Sequence, residues 1–143
     1  MLQQYANPAR FNSLVANLIP WFAWLAGIFI FIGLYFALLG SPPDYQQGET
    51  VRIMYIHVPS AWMALFVYAL IAGASAIGLI FKHPLAFLFA RAAAPIGASF
   101  TFICLLTGSL WGKPIWGVWW VWDARLTSVL ILFFLYLGFI ALI

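Results

Sequence analysis

Four stretches of this sequence carry no charged side chain: Leu18 to Leu39, Ser60 to Phe81, Ala92 to Leu110 and Leu126 to Ile143. At a rise of about 1.5 Å per residue, runs of about 18–22 residues reach roughly 27–33 Å, the thickness of a hydrocarbon core. Backbone groups in lipid have to bond within their own segment, so each run is expected as a helix. Composition agrees. The chain is 66% hydrophobic and 6% charged, where a soluble domain carries roughly a quarter charged residues. So few charges cannot coat a soluble surface, and the apolar exterior has to face the lipid bilayer. The expected fold is an all-α, polytopic transmembrane helix bundle in one domain over residues 1–143. Its spans are expected at about 18–39, 60–81, 92–110 and 126–143, with outer loops at 40–59 and 111–125.

Several classes of function drop out. The net charge of +3 comes from six basic residues scattered singly, so nucleic acid has no basic patch to meet. Cys104 is the single cysteine. It has no internal disulfide partner, and neither CxxC nor the CxxCH of covalent haem attachment occurs. Cys104 reads as a small apolar residue. The polar stretch before Leu18 and the length of the first run argue for a retained span, not a cleaved signal. The last run reaches Ile143 with no closing polar or interfacial residue, so the sequence is expected to be truncated at or inside a span. Ser75, Ser99, Thr101 and Thr107 are expected to help join helices, and Pro95 to sit in the first turn of its helix.

Basic residues do not decide orientation by number: Arg10, Lys82 and Arg91 lie on one side, Arg52, Lys113 and Arg125 on the other. The flank of the first span, with Arg10 before it and Asp44 and Glu49 after it, favours a cytoplasmic N-terminus. Both longer loops then lie outside.

The second of these loops reads WGKPIWGVWWVWDARLTS from Trp111 to Ser128, with five tryptophans up to Trp122. An interfacial aromatic belt is the plain explanation, yet a belt needs only one or two per helix end. If Ile115 to Asp123 is helical, Trp116, Trp119, Trp120 and Asp123 follow an i, i+3, i+4, i+7 pattern and share a face. Trp122 points elsewhere as an anchor. Such a face is a flat aromatic platform suited to a planar, polarisable ligand with an acidic edge. Lys113 and Arg125 bracket it and can pair with carboxylates. Haem, a macrocycle with two propionates, has this form. Asp123 itself reads first as a helix cap, or else as a partner for Arg125 or a residue that orients a tryptophan.

The first outer loop, SPPDYQQGETVRIMYIHVPSAW from Ser41 to Trp62, ends the first helix at Ser41-Pro42-Pro43. A short helix is expected from Glu49 to Ile56, before Pro59. His57 follows on the same side as the tryptophans. A lone histidine near a membrane surface is usually only a polar residue; beside an aromatic platform it becomes a candidate axial ligand for haem iron. Arg52 is a further candidate for a propionate. His83 lies on the opposite face, a membrane thickness away, and reads as structural or solvated. No second carboxylate, Ser–His pair or Gly-rich phosphate loop accompanies the tryptophans, so hydrolytic or phosphoryl-transfer chemistry has no apparatus.

With these residues set out, the sequence resembles the cytochrome c maturation protein C family, also called haem exporter protein C, within the tryptophan-rich haem-handling superfamily. WDARLTS (Trp122 to Ser128) and MYIHVPSAW (Met54 to Trp62) carry the likeness. Cytochrome c synthase branches typically continue WDP followed by an acid. The resemblance implies about six spans in the bacterial inner membrane and a periplasmic tryptophan-rich motif. It implies non-covalent, b-type haem, and a first-loop axial histidine matched by His57. A second axial histidine lies in a later loop that this sequence lacks. The implied partners are haem itself, a periplasmic haem chaperone (cytochrome c maturation protein E), and an ABC transporter assembly. In that assembly, cytochrome c maturation proteins A and B are the transporter subunits and cytochrome c maturation protein D is a small membrane component.

The leading expectation is therefore a haem-binding delivery factor, not an enzyme. Haem would lie on Trp116, Trp119 and Trp120, with His57 on the iron and Lys113, Arg125 or Arg52 near the propionates. The rivals are a haem lyase, a haem permease subunit and an assembly scaffold whose tryptophans only anchor. A permease would want polar groups at membrane depth, where these runs offer hydroxyls and Cys104.

Overall fold

The computed structural model describes residues 7–143. Its described residues form four long helices and no strands: α1 (Pro8–Tyr35), α2 (Val51–Phe81), α3 (Pro84–Trp116) and α4 (Ala124–Leu142). A π-helical turn, Phe36–Gly40, prolongs α1. Each helix is long and apolar enough to cross a membrane. The all-α, polytopic fold expected from the apolar runs is the fold observed.

The helices run past the apolar stretches that define them, and two expected loops are shorter than drawn. Val51 to Pro59 is helical and continuous with the rest of α2, so the first outer connection is only Ser41 to Thr50. Pro59 does not separate a short helix from the span. An interruption there would orphan several backbone groups, whereas the proline removes one N–H. The neighbouring Ser60 hydroxyl donates to the Ile56 carbonyl at 2.7 Å. Pro95 is likewise well inside α3, not in its first turn, because α3 begins at Pro84. Trp111 to Trp116 belongs to α3 as well. At 33 residues α3 is about 50 Å long, against a hydrocarbon core of about 30 Å, so its ends stand in the interfacial layers.

Local chemistry sets each boundary. The Asn7 side chain accepts from the Ala9 N–H at 2.9 Å, and Pro8 occupies the first helical position, where its missing N–H costs nothing. Asp44 folds the first loop, accepting from the N–H groups of Gln46 and Gln47, both at 2.8 Å. The backbones of Asp44 and Gly48 pair in both directions around this turn. Lys82, at φ 52°, ends α2. Gly117 ends α3 at φ 78°, a left-handed conformation that suits glycine, and its N–H donates to the Lys113 carbonyl at 3.0 Å. Asp123 caps α4, accepting from the Leu126 N–H at 2.9 Å.

The core lies where α2, α3 and α4 meet. Ala90, Ala93, Ala94 and Ala98 of α3 face Val67 and Ile71 of α2 and Leu132 and Tyr136 of α4. Small residues at this spacing let helix backbones approach closely. Tyr136 crosses α3 at Gly97, where a Cβ would come within 2.3 Å of its ring. Its hydroxyl then donates to the Ala64 carbonyl of α2 at 2.8 Å. The hydroxyls of Ser99 and Thr101 bond carbonyls of their own helix and do not join helices as expected; Thr107 does, by meeting His57 of α2. Along α1 no residue of its apolar window is buried, and its π-helical end packs against α2. His83 begins α3 at the far end of the molecule.

Candidate functional site

α2 descends and α3 ascends, so the start of α2, the end of α3, the segment 117–123 and the start of α4 gather at one end. His57 is on the second turn of α2. Its imidazole Nδ1 lies 3.1 Å from the Cys104 carbonyl oxygen and 3.1 Å from the Thr107 hydroxyl, both on α3. The carbonyl can only accept, so Nδ1 carries the proton and donates. The Thr107 hydroxyl supports the same assignment, since it gives its own hydrogen to the Ile103 carbonyl at 2.6 Å. Nε2 then keeps its lone pair. A backbone carbonyl on one ring nitrogen is the usual device for holding a metal-ligating histidine in the right tautomer and orientation.

Gly108 makes this seat possible. A Cβ there would sit 3.0 Å from Cε1 of His57, tighter than ordinary contact, so the imidazole rests against bare backbone. Cys104, Gly108 and Trp111 follow an i, i+4, i+7 pattern and present one face of α3.

His57 lines a cleft of about 200 Å³, bounded by Met54 of α2, Trp111 of α3, Trp116 and Trp120 of the tryptophan-rich segment, and Arg125 of α4. Pockets that enclose a drug-sized ligand are larger, about 300–1,000 Å³. A macrocycle would therefore seat an edge in the cleft and leave the rest over the surrounding aromatic surface. The cleft wall is built from edge-to-face contacts. Trp111 and Trp116 meet with centroids 5.1 Å apart at 84°, and Trp120 meets Trp122 at 5.5 Å and 74°. Arg125 stacks over Trp116 at 5.4 Å while its Nη2 holds the Asp123 carboxylate at 2.8 Å. The Leu126 N–H bond and then Arg125 hold the Asp123 carboxyl below the usual carboxylate range.

The platform expected from helical periodicity does not form. Gly117 breaks α3, and Gly117 to Asp123 is irregular, so Trp116, Trp119, Trp120 and Asp123 share no helix face. Trp116 and Trp120 line the cleft. Trp119 lies under Lys113, whose Nζ is 5.9 Å from its ring centroid, and Trp122 is exposed beside Trp120. Asp123 serves as both helix cap and partner of Arg125. The three candidate cations also part company. Arg125 lines the cleft. Lys113 donates to the Gly117 carbonyl at 2.9 Å. Arg52 is spent on Glu49, the Leu38 carbonyl and the Ser41 carbonyl, where it closes the end of α1. Neither Lys113 nor Arg52 borders the cleft.

Met54, Thr107, Gly108 and Trp111 join the site although the hydropathy pattern gives them no part in it. A third span that stops at Leu110 leaves out Trp111; continuing the i, i+4, i+7 face from Cys104 through Gly108 reaches it. One polar atom also stands out. The indole Nε1 of Trp120 is buried and has no hydrogen-bond partner among the described residues. Such an N–H costs about 1–3 kcal/mol when left unpaired. A ligand with an acceptor oxygen at its edge would satisfy it. The donor set, one neutral imidazole with a fixed tautomer and a wall of indoles, fits haem.

Fold and cleft together define a polytopic helical membrane protein with a tryptophan-walled, histidine-bearing cleft at one membrane face. The profile of the family described as Heme exporter protein C matches residues 1–143. The chain is 59% identical over 137 residues to the Heme exporter protein C of Bradyrhizobium diazoefficiens, covering 96% of this chain and 52% of that protein. It is 50% identical over 141 residues to that of Escherichia coli K12, covering 99% and 58%. For Paracoccus denitrificans the values are 47% over 139 residues, 97% and 57%. The chain belongs to the haem exporter protein C family, a family of haem handling in cytochrome c biogenesis. It spans about half the length of the curated relatives it matches.

Proposed function

We propose that this protein binds b-type haem non-covalently at the tryptophan-walled cleft and presents it to a periplasmic haem chaperone during cytochrome c biogenesis. The observation that carries this reading is the seat of His57. Its Nδ1–H is committed to the Cys104 carbonyl, which leaves Nε2 as a lone-pair donor at the border of the cleft. Trp116 and Trp120 supply apolar faces for the macrocycle, and Arg125 and the unpaired Trp120 N–H suit its carboxylates. The protein's contribution is to orient the haem; the redox chemistry of the iron belongs to the haem. In this reading the protein lies in the bacterial inner membrane with its N-terminus cytoplasmic and the cleft periplasmic. Cytochrome c maturation protein E receives the haem, and cytochrome c maturation proteins A, B and D form the associated ABC assembly. The name of the relatives points to export as the second reading, a permease subunit of that assembly.

The test is the absorption spectrum of the full-length protein, purified with the chaperone, compared with His57→Ala. A Soret band that falls or shifts in the variant is expected. An unchanged band removes His57 from the iron and overturns the proposed seat. Haem uptake into vesicles in the absence of the chaperone would favour the permease reading.

A further inference from the structure

The first outer connection is tied to the last turns of α3 by a single side-chain hydrogen bond. Trp111 Nε1 donates to Gln47 Oε1 at 2.9 Å, between residues 64 apart in sequence. An indole N–H is only a donor, so the Gln47 amide has to present its oxygen. Gln47 is itself held in place by three bonds. Its N–H donates to the Asp44 carboxylate at 2.8 Å, and its carbonyl accepts from the Thr50 hydroxyl at 2.6 Å and from the Thr50 N–H at 3.2 Å. The loop 41–50 is thus a folded bracket that presents one side-chain oxygen to α3.

From Trp111 the contacts run on without a gap. Trp111 packs edge-to-face on Trp116, Arg125 stacks on Trp116, and Arg125 is bonded to Asp123, the cap of α4. The rotamer of Trp111 therefore sets where Trp116 and Arg125 stand at the cleft. A large indole at the end of a helix has several staggered rotamers open to it, and the Gln47 bond selects one.

We propose that Gln47 is a positioning residue: through Trp111 it fixes the aromatic and cationic wall of the cleft for the flat, carboxylate-bearing ligand. The proposal rests on the haem reading for the identity of that ligand, but the positioning is testable without it. Gln47→Leu removes the acceptor at similar size. Gln47→Glu keeps an oxygen in the same place. Trp111→Phe keeps a ring and removes the N–H.

The experiment uses the full-length protein in detergent, with two readouts. The first is circular dichroism of the haem-free protein, in which the edge-to-face Trp111–Trp116 pair contributes an exciton couplet, isolated from that of Trp120–Trp122 as the difference from Trp111→Phe. The second is titration with haemin, with the thermal midpoint recorded alongside. Gln47→Leu is expected to lose the couplet and to weaken haemin binding by about fivefold, the net worth of one neutral hydrogen bond. Gln47→Glu is expected to restore both. Trp111→Phe is expected to weaken haemin to a similar degree, with no added loss when combined with Gln47→Leu. A couplet unchanged in Gln47→Leu overturns the proposal. So does a lost couplet with unaltered haemin affinity, since the bond would then serve only the loop. If the parent protein binds no haemin, the haem reading fails by itself, and the couplet alone decides whether Gln47 positions the wall.

Discussion

The Nδ1 of His57 and the carbonyl oxygen of Cys104 lie 3.1 Å apart, so the backbone of one helix sets the tautomer and orientation of a side chain on the next. The contact lies at the crossing of α2 and α3. It depends on Gly108, since a Cβ at that position would press on the imidazole at 3.0 Å.

Gly108→Ala is therefore expected to separate stability from binding. Alanine favours an interior helix position by up to about 1 kcal/mol over glycine, so the thermal midpoint should hold or rise. The methyl group shifts the imidazole by a few tenths of an ångström, and haemin affinity should fall about tenfold, the lower end for a disturbed ligand-orienting contact. Titration and thermal unfolding on one preparation check both. Equal haemin affinity would mean that the imidazole seat has no part in binding.

Trp120→Phe is expected to show the opposite signs in the two states of the site. The variant removes a buried N–H that has no partner among the described residues, which costs about 1–3 kcal/mol while unpaired. The haem-free protein should gain stability or stay level, and haemin should bind less tightly. A haem-free variant clearly less stable than the parent would show that the indole N–H is satisfied in some other way.

The three-helix core has its own test. Tyr136 donates to the Ala64 carbonyl across Gly97, so Tyr136→Phe should destabilise the bundle by about 1 kcal/mol, the net value of one hydrogen bond. Gly97→Ala places a methyl group where the tyrosine ring now lies and should cost more, about 1–3 kcal/mol from overpacking. Unfolding in mixed micelles compares the two. Both variants should leave the spectrum of bound haem unshifted, because neither residue borders the cleft.

Asp123 predicts a pH dependence with a definite sign. The Leu126 N–H, followed by Arg125, lowers its folded pKa. A lowered carboxyl pKa gives stability that is fully present above the unfolded value and is lost as pH falls through the folded one. The stability difference between the parent and Asp123→Asn should stay level from neutral pH down to the ordinary carboxylate range, then shrink below it. A difference that instead changes between about pH 6 and 8, where histidine titrates, would assign the effect to another group.

Much of this was legible in the chain because lipid leaves few choices. Long uncharged runs have to be helices, and helices of such length joined by short connections have to alternate direction. That put His57 and the tryptophans at one end and His83 at the other. Family membership was legible for a different reason: WDARLTS and MYIHVPSAW are long, specific strings.

What periodicity could not supply was where the helices stop. The capping chemistry of Asp44, Gly117 and Asp123 acts at single residues, and apolar runs mark only the part in hydrocarbon. Carrying α3 on to Trp116 and breaking it at Gly117 dissolved the expected platform and brought Trp111 into the wall in place of Trp119. Tertiary contact took Arg52 to the Leu38 carbonyl and left Arg125 at the cleft, while Lys113 met the Gly117 carbonyl four residues on, where α3 ends. Hydropathy was enough to specify a bundle of helices able to span a membrane, since the cost of exposing those runs to water admits nothing else. Which nitrogen of His57 is free, and which indoles face it, came only from the folded arrangement, because both depend on backbone carbonyls and ring edges from helices far apart in the chain.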